Sequence, residues 1–273
     1  MPPIPSAASP RPHPLITAVN EKFVMLNSRK EIDVSPQYPL RGLENAPYRC
    51  FVRETVYRML LSAQNALPQG VRLVAVSKYH PSEAIREAYA AGQRVFGESH
   101  AQELQKKTTE LAAMNDIEWH FIGHLQTNKV RFVVPHVRLI HSGDSPHLLA
   151  EINKQAVKAG CIVPCLLQLH VAREETKFGF TPDEARQFLD NGEWRQWQGV
   201  RLAGVMAMAS NTDDTVRVRD DFRCARRFFE ETRRNFFSAD PAFCELSMGM
   251  SNDWPIAIDE GSTLIRIGTS IFG

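Results

Sequence analysis

A beat repeated eight times between residues 71 and 267 constrains the fold more than any other feature: a short apolar run, then a stretch with helical spacing. The apolar runs fall at 71–77, 94–96, 118–122, 137–140, 162–171, 200–206, 243–246 and 263–267. They are short and rich in Val, Ile, Leu and Phe, as buried strands are. Helices are expected between them, at 81–91, 98–113, 126–133, 145–158, from 181 onward, 213–236 and 252–260. The punctuation agrees. Ser145 and Thr181 are capping residue types, Pro182 suits a first turn, and Gly92 ends the first helix. The helix 213–236 sets Val218, Phe222, Ala225, Phe229, Thr232 and Phe236 on one face.

Eight strands alternating with helices predict a single α/β domain, a closed (β/α)8 barrel of the TIM type. A doubly wound open sheet is the alternative, but the first strand–helix turn lacks a G-x-G-x-x-G. An extra N-terminal helix is expected at 48–66, where Val52, Val56, Met59, Leu60, Ala63 and Leu67 recur at helical spacing. It would cover the place of a helix after strand eight.

Residues 1–47 differ, with 9 of the 17 prolines and no sustained periodicity. They read as a mobile extension ahead of a barrel at 48–273. Residues 1–20 contain no acid, which leaves mitochondrial import as an alternative to the expected cytoplasmic location. A net charge of +1 gives no field for nucleic acid or membranes. The five cysteines form no C-x-x-C pair, so reduced thiols are expected. His124, His141 and His147 have no metal-ligand spacing with carboxylates, so no metal is assigned.

The chemistry concentrates in 247–273. Two small-residue turns, Ser247–Met248–Gly249–Met250–Ser251 and Gly268–Thr269–Ser270, each follow an apolar run. Such turns offer backbone N–H groups and hydroxyls to a phosphate. Ser251 is expected to cap a helix opening at Asn252. Arg266 lies in the apolar strand between the turns and needs a partner there. Far upstream, the strand 71–77 ends in Lys78, which falls at the catalytic end of a barrel. A strand-end lysine with a two-turn phosphate cradle suggests pyridoxal 5′-phosphate (PLP) held as an imine. Burial at the barrel mouth would favour the neutral amine that attack requires.

Several motifs in order carry a resemblance: Val74–Ala75–Val76–Ser77–Lys78, then Phe96–Gly97–Glu98 with Gln102–Glu103, then Trp119–His120–Phe121–Ile122–Gly123–His124–Leu125–Gln126 with Asn128–Lys129. Lys177–Phe178–Gly179–Phe180, Gly204–Val205–Met206–Ala207–Met208, Leu246 to Ser251 and Ile265–Arg266–Ile267–Gly268–Thr269 continue it. Over about residues 50–273 the chain resembles the pyridoxal phosphate homeostasis proteins, single-barrel relatives of the alanine racemase N-terminal domain. Two departures stand out. Ser99–His100 replaces the family's Asn-Tyr, and Tyr79–His80 precedes Pro81 where the family favours smaller residues.

The resemblance implies a cofactor site made of Lys78, Val76, Ser99, His120, Met206, Ser247, Met248, Gly249, Ser251, Arg266, Gly268 and Thr269. Lys78 would carry the Schiff base, and Arg266 would face the pyridine nitrogen. His120 and Met206 would line the ring or simply pack in the core. The implied function is PLP storage and delivery with little turnover, through transient contact with PLP-dependent enzymes, by a monomer. In alanine racemase an added β domain supplies a second base, whereas this sequence ends soon after strand eight. The alternative is a single-barrel PLP-dependent racemase or lyase, with His100 or Tyr79 as the second base. A barrel that has lost its cofactor and serves as a binding partner is the third reading.

Overall fold

The computed structural model describes residues 56, 59–60, 62–172 and 178–273. Eight parallel strands close into a barrel in sequence order: β1 (Arg72–Val76), β2 (Val95–Glu98), β3 (Glu118–Phe121), β4 (Leu139–Gly143), β5 (Val163–Leu169), β6 (Val200–Ala207), β7 (Glu245–Ser247) and β8 (Leu264–Ile267). β8 pairs with β1, with Val74 opposite Arg266, so the sheet has no free edge and the open-sheet alternative is excluded. Among the described residues seven helices alternate as expected: α1 (Ser82–Ala90), α2 (Ala101–Glu110), α3 (Val130–Val133), α4 (Pro146–Ala159), α5 (Pro182–Asn191), α6 (Thr215–Phe236) and α7 (Trp254–Asp259); a short eighth, α8 (Thr269–Phe272), follows β8, where the sequence reading places none.

Capping explains where several of them begin. Ser145 Oγ accepts from Leu148 N–H at 3.3 Å and opens α4. Thr181 and Glu184 form a reciprocal capping box at α5, at 3.2 and 2.8 Å. Asp214 caps α6, whose Val218, Phe222, Ala225, Phe229 and Thr232 are buried as the periodicity predicts. Phe236 is only half-buried, and Phe228 takes its share of the core.

Two boundaries correct the sequence reading. The second helix starts at Ala101, not 98, because Glu98 finishes β2. The helix expected from Asn252 starts at Trp254 with Asp253 as N-cap, so Ser251 does not cap it. Asp253 Oδ1 accepts from Met250 N–H at 2.6 Å, which makes the turn the carboxylate's partner and delays the helix. Of the expected helix 48–66, residues 56, 59–60 and 62–65 are helical. Residues 48–55 and the extension 1–47 lie outside the described residues.

The barrel interior is tiered. Val74, Leu139, Leu166, Ala203, Met206 and Leu264, from five strands, form one buried cluster. Such contacts across a closed barrel place these side chains inside, and period-two alternation then fixes the neighbours. Below the cluster, Arg72 pairs with Glu245 at the N-terminal end. Above it, Arg266 follows Leu264, His141 follows Leu139, and Val76 then Lys78 follow Val74 on the same parity. The register shifts between Cys165 and Leu166 on β5, opposite Gly204 of β6. Gly204 has φ of 152°, and a Cβ there would lie 1.8 Å from the Glu245 carbonyl oxygen, so only glycine fits.

Candidate functional site

A buried polar belt crosses the barrel above the apolar tier. His120 Nδ1 lies 3.0 Å from His141 Nε2, and His141 Nδ1 lies 2.9 Å from Ser247 Oγ. Arg266 Nη1 donates to that hydroxyl at 2.5 Å, while Nη2 donates to the Ala207 carbonyl at 3.2 Å. All four side chains are buried, Arg266 with 5% of its surface exposed. A guanidinium only donates, so Ser247 accepts from it and keeps its own proton for His141 Nδ1. His141 then carries its proton on Nε2 and donates to His120. Burial lowers the His120 pKa to about 3 and holds His141 well below its ordinary value, so both rings are neutral. Burial also lowers the Arg266 pKa to about 10. No carboxylate hydrogen-bonds to Arg266 among the described residues.

Above this belt the expected turns come together. Arg266 N–H donates to the Gly249 carbonyl at 3.0 Å, which stitches the turn after β7 to β8. Ser262 Oγ lies within 3.3 Å of Met248 N and 2.8 Å of Met248 O, and this fixes the β7 end. Gly249 has φ of 90°, and a Cβ there would approach Ala257 Cβ to 2.7 Å and Trp254 Cα to 2.9 Å. The turn therefore packs flush on α7. After β8, Ile271 N–H bonds to the Gly268 carbonyl at 2.8 Å, so the Thr269 and Ser270 N–H groups precede the first intrahelical bond of α8. The Phe272 ring lies 5.0 Å from the His80 ring, which joins α8 to the loop carrying Lys78.

The family whose model is described as the alanine racemase N-terminal domain matches residues 56–273. The pyridoxal phosphate homeostasis protein of Aquifex aeolicus is 40% identical over 202 residues, covering 74% of this chain and 86% of that one. This chain belongs to the pyridoxal phosphate homeostasis protein family. The homeostasis protein of Haemophilus influenzae is 36% identical over 211 residues, covering 77% of this chain and 87% of the relative. Among solved structures, PipY of Synechococcus elongatus with PLP bound is 40% identical, with a TM-score of 0.73, covering 80% of this chain and all of that one.

In this homeostasis-family barrel the sequence-expected residues divide by depth. Val76, Met206, Met248 and His120 are buried, and Ser99, Ser251 and Gly268 are half-buried. Thr269 and Lys78 are exposed. Burial of Lys78 was expected, but it is the second residue of the turn Ser77–His80 and projects beyond the strand, with its Nζ 5.8 Å from the Tyr79 ring centroid. Ser247 differs too. Its hydroxyl is engaged by Arg266 and His141 inside the barrel, so it does not face the rim where a phosphate would lie. The second-base candidates, Tyr79 and His100, lean on each other 5.4 Å apart, with Tyr79 75% exposed.

Sequence reasoning missed two groups. His141 was weighed only as a metal ligand, yet it joins His120 to Ser247. Glu98, Glu103 and Lys107 form an ion cluster behind Lys78, with Glu98 and Lys107 buried and Glu103 half-buried. The i,i+4 spacing of Glu103 and Lys107 was the available signal for the second group.

Proposed function

We propose that this chain binds pyridoxal 5′-phosphate through Lys78 and holds it reversibly, storing and delivering the cofactor in PLP homeostasis. The observation that carries the reading is Arg266. It is a buried guanidinium whose hydrogen-bond partners are a hydroxyl and a carbonyl, on the strand paired to the one that leads to Lys78. A buried cation with no carboxylate bonded to it favours an electron-rich acceptor, and an unprotonated pyridine nitrogen is one. Because arginine only donates, that nitrogen would stay unprotonated and the ring would be a weak electron sink. This suits holding the cofactor better than transforming substrates with it.

The other residues fit the same group. The Arg266–Gly249 bond stitches the turn at Met248–Gly249–Ser251 to β8, which leads into the Gly268–Thr269 turn, and the two turns would hold the phosphate with N–H groups and the hydroxyls of Ser251 and Thr269. Val76, His120 and Met206 would form the floor, and Ser99 the wall after β2. When bound, PLP supplies an aldehyde whose condensation with a primary amine releases one water and is reversible. Lys78 is the amine placed for it. Lys107, by contrast, has its amine saturated by three oxygen acceptors, each at 2.7 Å. PLP in the PipY structure supports the same cofactor here.

The same reading makes the chain a cytoplasmic monomer that meets PLP-dependent enzymes transiently. Free thiols at Cys161, Cys165, Cys224 and Cys244 agree with a reducing compartment. No helix among the described residues is long and apolar enough to cross a membrane.

The test is to load the purified chain with PLP, reduce it with borohydride and map the pyridoxyl group by peptide mass. The expected result is an adduct on Lys78, no adduct in Lys78→Ala, and no change in chirality of added L- or D-amino acids. An adduct elsewhere, or rapid racemisation, overturns the reading.

A further inference from the structure

We propose that Lys107, working with Glu98 and Glu103, is the positioning residue for Lys78; the inference rests on Lys78 being the covalent anchor. Lys107 lies on α2 and is buried at 3% exposure. Its amine donates to the Ser77 carbonyl, Glu98 Oε1 and Glu103 Oε1, each at 2.7 Å, so all three of its protons are used. Glu98 is fully buried at the end of β2 and also accepts from Ser77 Oγ at 2.6 Å. Glu103 Oε1 accepts from the Tyr79 N–H at 2.7 Å. The residue before Lys78 is thus held through its carbonyl and hydroxyl, and the residue after it through its N–H, all by one cluster.

The conformation needs such a clamp. His80 N–H donates to the Ser77 carbonyl at 3.0 Å, closing a turn in which Lys78 is second and Tyr79 third. Tyr79 has φ of 68°, and among the described residues it is the one non-glycine in the left-handed region. A tyrosine there is disfavoured by its own Cβ. Tyr79 is 75% exposed, so burial does not supply the restraint. The Glu103 bond to its N–H and the Lys107 bond to the turn's first carbonyl do. If the clamp is released, the turn relaxes toward negative φ at Tyr79 and the Lys78 side chain loses the direction that the closed turn gives it. Covalent capture then needs the amine to be found again from a broader set of positions.

The test separates positioning from folding. Full-length wild type, Lys107→Met, Lys107→Arg and Glu103→Gln are titrated with PLP and with pyridoxine 5′-phosphate, which shares the ring and phosphate but has no aldehyde. In Lys107→Met, PLP affinity is expected to fall at least about tenfold while pyridoxine 5′-phosphate affinity stays within about twofold. Lys107→Arg restores part of the loss, because a guanidinium can reach the same oxygens. Glu103→Gln, which leaves Lys107 on Ser77 and Glu98, shows the same split at about threefold. Equal loss of both ligands, or no loss of either, overturns the proposal. If Lys107→Met does not fold, Glu103→Gln alone decides it by the presence or absence of the split. Absence of a borohydride-trapped adduct on Lys78 in wild type would sink the anchor reading itself, an outcome distinct from an adduct that forms equally well in every variant.

Discussion

Arg266 and Ser247 meet inside the barrel at 2.5 Å, a charged donor on β8 against a hydroxyl on β7. The bond orders two strands of chemistry at once. It turns the guanidinium's plane across the barrel, and it makes Ser247 an acceptor whose proton is then directed into the His141–His120 pair. This polar belt lies above a tier of Val, Leu, Ala and Met. The interior is therefore rigid below and electrostatically unfinished above, where the two turns converge.

An unfinished charge is a cost in the cofactor-free protein. Replacing even a buried ion pair by apolar side chains of similar volume is often neutral or stabilising by about 1–4 kcal/mol, and a buried cation with no bonded carboxylate has less attraction to offset its desolvation. Arg266→Met is therefore expected to raise Tm without PLP by roughly 2–16 °C, given about 2–4 °C per kcal/mol for chains of this size class. PLP should stabilise the variant far less than wild type. Thermal unfolding with and without PLP measures both. A variant that melts well below wild type would mean that the guanidinium holds the barrel together rather than awaiting a ligand.

Ser247→Ala removes the hydroxyl from both neighbours. Arg266 Nη1 and His141 Nδ1 each lose a partner in a dry interior, at about 1–3 kcal/mol per unsatisfied group. The expected loss is roughly 2–6 kcal/mol by urea unfolding. Arg72→Gln at the other end of the barrel also breaks a charged contact, with Glu245, but the Arg72 side chain is 45% exposed. Its expected loss is under about 1 kcal/mol. Equal losses at the two ends would show that burial is not what gives the belt its weight.

The eight-beat alternation was legible because each strand is a contiguous apolar run and each helix has its own cap or face. Arg266 was legible because a lone cation in Leu264–Ile267 has no local explanation. His120 and His141 were not, because they are 21 residues apart and meet only through the β3–β4 register, where His120 pairs with Leu139 and His141 lies two residues on. The Lys107 clamp was half legible. Its helical partner Glu103 can be read from spacing, but Ser77 and Glu98 reach it only when β1 and β2 lie side by side against α2. Helix starts at Ala101 and Trp254 were misplaced for a single reason: Glu98 and Asp253 are carboxylates engaged in tertiary or turn bonds, and propensity does not see those.

Acid should destabilise this fold earlier than its net charge suggests. Burial depresses the folded pKa of His120 to about 3 and that of His141 well below its ordinary value, so as pH falls below about 6.5 the unfolded chain binds protons that the folded chain refuses. Their contribution is complete above about pH 6.5 and is lost as pH falls, at about 1.4 kcal/mol per pH unit for each histidine. Glu98 works in the other direction. Burial raises its folded pKa, so its contribution grows as pH falls through that value. Two histidines outweigh one carboxyl, and urea stability is expected to drop by roughly 2–4 kcal/mol from pH 7 to pH 5. His120→Gln should show a visibly shallower slope over that interval. Parallel curves for variant and wild type would contradict the assignment of His120 as a neutral buried ring.

Gly249→Ala tests whether the turn after β7 owes its shape to α7. The added Cβ would lie 2.7 Å from Ala257 Cβ and 2.9 Å from Trp254 Cα, and the residue would still have to hold φ of 90°. Overpacking of this kind typically costs about 1–3 kcal/mol and a left-handed non-glycine about 1–2 more. The neighbour that must yield is helix backbone at Trp254, not the tip of a flexible side chain. The expected outcome is therefore a Tm lower by on the order of 10 °C, together with weaker binding of both PLP and pyridoxine 5′-phosphate, since the turn would be displaced from the Gly268–Thr269 turn it faces. That joint loss is the opposite of the split expected at Lys107, so the two variants assign different parts of the mouth: one shapes the phosphate end and the other aims the amine. A Gly249→Ala protein that loses stability but binds both ligands at wild-type strength would remove this turn from the site.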